Sequence, residues 1–306
     1  MDLHASRLIL VTGKGGTGKS SVSAALGILA SKGGRRTLIV EVDSQKSAMK
    51  DIFEIEPAYE PAEVQSNLFV ANLHWLENLS DWVGQVLPGG RVVRMVLNNS
   101  LIQTFLKVAP GNRETVALSK IGWLLDDFDL VIVDLPASGH ALNMLEAPHT
   151  MVGLFSSGPI RSEGLRALDM LKADTSHLIF VGLAEEMVVN ETIETFQKVH
   201  ELLPSLTIDG VILNRATTES LSCDEQELLS FLSQKENSPE LEELFWAGRW
   251  VSALEDATRN AQKRLKTELK TKVSLVPRLS QSGGAKELVS RMADILSQKS
   301  VLEGPS

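Results

Sequence analysis

The segment Gly13-Lys14-Gly15-Gly16-Thr17-Gly18-Lys19-Ser20 constrains this chain more than any other. It follows a continuous apolar run, Leu8-Ile9-Leu10-Val11, whose lack of alternation marks a strand buried on both faces. After it, Ser21 to Ser31 is small, apolar and interrupted only by Gly27, which predicts a helix stopped by Gly33-Gly34. A strand, a glycine-rich loop and a helix, in that order, are the setting in which G-x-x-x-x-G-K-[ST] binds phosphate; Gly13, Gly18, Lys19 and Ser20 meet that pattern. The glycines let backbone N–H groups turn toward phosphate oxygens, and the helix start adds the positive end of its dipole. Lys19 is placed to reach the β- and γ-phosphates, and the Ser20 hydroxyl to ligate Mg²⁺. Lys14, Gly15, Gly16, Thr17 and Ser21 complete the expected nucleotide contacts.

The same alternation returns along the chain. Thr37–Val40, Leu130–Val133, Leu178–Val181, Val211–Leu213 and Val273–Val276 read as strands. The stretches 139–147, 161–173, 187–203, 219–234, 238–269 and 284–298 read as helices. This order predicts a doubly wound α/β fold with a mostly parallel sheet, in which phosphate ligands sit at the carboxyl ends of the strands. The stretch from about 75 to 126 breaks the rhythm: Trp82, Val86, Val93, Val96, Leu97, Leu101, Phe105 and Leu106 fall at helical spacing, punctuated by Pro88-Gly89-Gly90 and Pro110-Gly111. It reads as a helical insertion within one domain spanning 1–306. In 238–269 the mixed Glu, Arg and Lys pattern reads as a solvated helix face, with Trp246 and Trp250 on its buried side.

Composition excludes several classes. The net charge of −9 disfavours a nucleic-acid binder, which needs clustered Lys and Arg. No run approaches the roughly 20 apolar residues that span a bilayer. Met1 to Arg7 has no apolar region of the kind a secretory signal carries. A single cysteine, Cys223, forms no internal disulfide, which fits a reducing, cytoplasmic setting.

Lys14, standing directly after the first glycine, turns the loop into KGGTGKS, a deviant form of the P-loop NTPase motif. With it the chain resembles the family of ATPases that includes the arsenite-pump ATPase subunit and the tail-anchored-protein targeting factor. The resemblance implies that ATP and Mg²⁺ are the cofactors and that ATP is hydrolysed to ADP and phosphate. It also implies a dimer, of like or related subunits, in which Lys14 reaches across to the partner's nucleotide while Lys19 acts in its own site. Asp43, after the second strand, matches the family's water-orienting aspartate and is a further candidate for holding Mg²⁺ through water. Ser44-Gln45 stand where the family has Pro-Ala. Asp134-Leu135-Pro136-Ala137-Ser138-Gly139-His140 resembles the switch segment Asp-Thr-Ala-Pro-Thr-Gly-His, with Asp134 holding Mg²⁺ through water. Asn214-Arg215 and Pro277-Arg278 resemble the segments that flank the adenine, and Glu114 follows Pro110-Gly111 as in the segment before the Asp134 strand.

What such a switch acts on stays open among three readings. The apolar residues of 82–108 could line a groove for an apolar protein client, or pack on their own neighbours. An anion-export subunit of the arsenite type is the second, although trivalent arsenic wants three thiolates and only Cys223 is present. A positioning or regulatory ATPase is the third.

Overall fold

The computed structural model describes residues 3–86, 111–218, 222–232, 239–279 and 283–298. The chain runs β1 (Leu8–Thr12), α1 (Lys19–Lys32), β2 (Thr37–Val42), α2 (Ala48–Phe53), β3 (Ala62–Gln65), β4 (Leu68–Leu73) and α3 (Trp75–Val86). It continues α4 (Asn112–Leu124), β5 (Leu130–Asp134), α5 (Ser138–Leu154), α6 (Pro159–Lys172), β6 (Ser176–Gly182) and α7 (Glu186–Leu202). The last elements are β7 (Thr207–Ala216), α8 (Cys223–Leu232), α9 (Pro239–Leu269), β8 (Val273–Pro277) and α10 (Ala285–Ser297). The strands form one sheet in the order β3-β4-β2-β5-β1-β6-β7-β8. Every pair is parallel except the edge pair β3–β4.

The apolar runs are continuous because both faces of the sheet are covered. Leu8 and Leu10 enter a core shared with Leu118 and Ile121 of α4, Leu145 of α5, Leu168 and Leu171 of α6 and Leu265 of α9. Ile9 and Val11, the alternate residues of the same strand, enter a second core with Val22 and Leu26 of α1, Ile52 of α2 and Met292 of α10. All four strand residues are fully buried, each stabilising the fold by about 1.5–3 kcal/mol. Gly27 lets α1 lie close on the sheet, since a Cβ there would stand 2.6 Å from Ile39 Cδ1. This is the doubly wound architecture expected from the sequence.

Three readings are adjusted. Strand β4 was not expected; its run Leu68-Phe69-Val70-Ala71 ends at Asn72, a residue type depleted in strands. Helix α5 runs past Pro148, where the expected helix stopped, to Leu154. Trp246 and Trp250 are not core: they are 63% and 66% exposed. Helix α9 packs inward through its second half, where Glu255, Thr258, Ala261, Leu265 and Leu269 are buried at three- and four-residue spacing.

Of the stretch 75–126, the described ends are α3 and α4. They pack together through Trp75, Leu79, Trp82, Val83 and Val116, so Trp82 and the half-buried Val86 belong to an internal cluster. Val93, Val96, Leu97, Leu101, Phe105 and Leu106 lie outside the described residues.

Candidate active site

The carboxyl ends of β1, β2, β5, β7 and β8 each carry a residue singled out in the sequence. Strand β1 leads into the glycine loop with Gly13, Gly16 and Gly18 at φ of 146°, 83° and 92°. Two of these glycines are forced by their neighbours as well as by backbone. A Cβ on Gly13 would stand 2.1 Å from the carbonyl oxygen of Val181, and one on Gly18 would stand 2.3 Å from Asn214 Nδ2. The loop is cross-braced from inside: the buried Thr17 donates its hydroxyl to Lys14 O at 2.9 Å, and Lys19 Nζ donates to the same oxygen at 3.2 Å. Helix α1 then starts with no side-chain cap, leaving its first N–H groups for an anion. Burial holds Lys19 below the usual ammonium range, partly offset by Asp134 and Glu191.

Asp134 ends β5, between Val11 of β1 and Glu41 of β2 in the parallel register. Its Oδ2 accepts the Ser20 hydroxyl at 2.5 Å, and its Oδ1 lies 3.4 Å from Ser23 Oγ. Burial pushes its carboxyl up to about 6; hydrogen bonds from the two serines and the Lys19 charge oppose that rise, and Glu41 adds to it. The expected Mg²⁺ fits here. The two groups expected to hold it already touch, and a carboxylate this desolvated gains most from a nearby cation. Among the described residues no group of three His, Cys, Asp or Glu side chains is placed to cage a metal. The donor set therefore suits an ion that keeps water and phosphate ligands, as Mg²⁺ does.

The residues expected to flank the base meet in one cleft of about 1010 Å³, lined by Gly18, Ser21, Asn214, Arg215, Pro277 and Arg278 among others. Asn214 is only 5% exposed, and its amide is already engaged: Nδ2 donates to Thr17 O at 2.8 Å and Oδ1 accepts the Arg215 N–H at 2.9 Å. Arg278 N donates to Ala216 O at 3.0 Å, joining the two strand ends.

The sequence pattern of the anion-transporting ATPase family matches residues 6–158, half of the chain. That stretch holds the glycine loop, Asp43 and Asp134. The chain belongs to this family. It is 29% identical over 231 residues to ATPase BagA of Mycobacterium tuberculosis, covering 70% of this chain and 66% of that protein. A protein of Aquifex aeolicus whose name places it among arsenical pump-driving ATPases is 25% identical over 291 residues, covering 78% and 71% of the two chains. ATPase ASNA1 homolog 1 of Paramecium tetraurelia is 25% identical over 209 residues, covering 65% and 59%. The chain thus spans about two thirds of the mycobacterial relative. Among the described residues no helix is long and apolar enough to cross a membrane.

Where this member departs from the family pattern, the structure supplies physical reasons. Ser44, in place of proline, has an N–H, which it donates to Asn72 Oδ1 at 3.1 Å, while Asn72 Nδ2 donates to Ser44 O at 2.8 Å. The unexpected asparagine of β4 is a clamp on this loop. Buried Glu41 holds the loop's other end, accepting the Ser47 hydroxyl at 2.5 Å and the Ala48 N–H at 2.8 Å. Leu135, in place of threonine, is 1% exposed and part of the main core. Gly139 lies in the first turn of α5 with open space around it, and His140 is exposed on the same turn.

Three contacts were not foreseen. Lys14 pairs within its own chain with Glu191 of α7 at 3.0 Å, and Glu191 also accepts the Ser138 hydroxyl. The Ser138 bond is the largest of the influences that lower the Glu191 carboxyl. Asp43 is gripped by Arg113 at the start of α4. A cavity of about 250 Å³ brings Asp43 and Arg113 together with Trp75, Asn78, Pro136 and His140, so the Asp43 loop and the Asp134–His140 segment open on one space. Neither Glu191 nor Arg113 stood in a motif, and each is far along the chain from the residues it meets.

Proposed function

We propose that this protein binds Mg·ATP and hydrolyses it to ADP and phosphate, as a nucleotide switch that works as a dimer. One observation carries the reading: the glycine loop, Ser20 and Asp134 form a single hydrogen-bonded unit beside a cleft large enough for a nucleoside. In this reading Lys19 and the loop N–H groups bind the phosphates. Ser20 and Asp134 hold Mg²⁺, which neutralises phosphate charge when bound. Asn214, Arg215, Pro277 and Arg278 flank the base. Asp43 accepts a hydrogen bond from the attacking water and orients it.

Lys14 supports the dimer. Within its own chain it is spent on Glu191, a pair that is over a third exposed on both sides and so easily exchanged for a partner's phosphate. Solution mass by light scattering, with and without Mg²⁺ and a non-hydrolysable ATP analogue, tests this; a monomer in both states removes the trans role. Asp43→Asn is expected to keep ATP affinity and lose turnover. Turnover near that of the unmodified protein would remove Asp43 from the mechanism.

An apolar protein client is the cargo reading we favour for a member that carries α3 and α4 between β4 and β5. Arsenite fits poorly, since the sequence offers one thiol, Cys223, where three are wanted.

A further inference from the structure

Among the described residues, Arg113 is the cation that pairs with Asp43. Asp43 has left-handed backbone, φ 49°, and its N–H donates to Leu73 O at 3.1 Å, so its carboxylate is aimed by the end of the sheet. The guanidinium that meets it comes from a fixed element. Ala117, Leu118 and Ile121 of α4 are buried on the sheet, and Lys120 donates to Asp81 of α3 at 2.8 Å. The pair also lies between the two switch segments, in the cavity that holds Pro136 and His140. Its side chains are 38% and 37% exposed, so solvent weakens the pair and it can open. When it does, Arg113 has another contact at hand, the Trp75 ring, 5.7 Å away.

A carboxylate that accepts a guanidinium N–H has less capacity left to orient water. We propose that Arg113 is a positioning residue that keeps Asp43 in a resting state, so that hydrolysis proceeds only when this pair opens. The proposal rests on the reading of Asp43 as the water-orienting group. It differs from a structural role for Arg113 in its sign: removing the residue accelerates the enzyme. An exposed pair of this kind leaves the carboxylate free for roughly a fifth of the time, so its removal raises kcat about fivefold. Among the described residues Arg113 meets none of the loop, Asn214, Arg215, Pro277 or Arg278 groups expected to contact the nucleotide, so KM stays within about twofold.

The test is steady-state hydrolysis by the full chain as Arg113→Met, Asp43→Asn and the double variant, with Arg113→Gln as a second replacement if Arg113→Met fails to fold. The expected result is a higher kcat at unchanged KM for the Arg113 variant, and a double variant as slow as Asp43→Asn. The ratio of variant to unmodified kcat should also shrink toward one as KCl rises, because salt screens the pair. If Asp43→Asn is inactive but the Arg113 variant is no faster, Arg113 does not restrain Asp43, and the role of Asp43 stands. If Asp43→Asn turns over normally, the reading of Asp43 falls and this proposal falls with it.

Discussion

Replacing Asp134 by asparagine should stabilise the nucleotide-free protein while disabling it. The carboxyl is held near 6 in the folded chain against 3.8 as an ordinary aspartate, chiefly by burial. Between those two values the folded state binds a proton that the unfolded state has released. Stability therefore falls as pH rises through that window, and the loss is complete above about 6. A gap of about two pH units is worth about 3 kcal/mol at 1.36 kcal/mol per unit. Asparagine fills the same volume, keeps an oxygen for the Ser20 hydroxyl and carries no charge to desolvate. For a chain of this size, about 2 °C per kcal/mol converts this to a melting point about 6 °C higher for Asp134→Asn at pH 7.5. The advantage should shrink to about 1 kcal/mol near pH 4.5 and vanish only below about 3.8, where the carboxyl is protonated in both states. The assay is thermal unfolding followed by circular dichroism across that range, with a chelator present and no nucleotide. A variant that melts at or below the unmodified protein at pH 7.5 would refute the reasoning, as would an advantage that does not shrink with acid. Asp134 would then be adequately satisfied by Ser20 and Ser23, with no charge left waiting for a cation.

Three further predictions follow from single contacts. Lys19→Ala should weaken ATP binding at least about 100-fold, about 3 kcal/mol, the scale of a lost charge-assisted hydrogen-bond set, in a titration with a fluorescent ATP analogue; affinity near that of the unmodified protein would remove Lys19 from the phosphate site. Gly18→Ala adds a Cβ 2.3 Å from Asn214 Nδ2 at a φ of 92°, and should cost about 1–3 kcal/mol of stability together with nucleotide affinity. Calorimetric binding at the unmodified level would show that the loop does not need this glycine. Changing Trp246 and Trp250 together to serine should move the melting point by no more than about 2 °C, because both rings are largely in solvent, and should remove red-shifted tryptophan emission.

What could be read from the sequence was what is local. The glycine loop encodes its own conformation within eight residues, and the strand before it declares its burial on both faces by failing to alternate. The contacts that join the switches are encoded differently. Arg113 and Asp43 are 70 residues apart, Ser138 and Glu191 are 53 apart, and Asn72 and Ser44 are 28 apart. No periodicity or spacing reports such pairs, since each depends on which strand ends the sheet order brings together. Some signal was nonetheless present as local inconsistency: Glu41 and Asn72 are polar residues placed in apolar strands, and both prove to be holding the loop that carries Asp43. Trp246 and Trp250 misled for the opposite reason. Their four-residue spacing is regular, but both rings stand largely in solvent, and a helical stripe buries only where something lies against it. The same physics makes Arg113 the informative residue. Its helix is rigidly packed, its partner is held by the sheet edge, and only the ion pair between them is exposed enough to break. If the switch is regulated from its helical side, that pair is where the regulation has least to overcome.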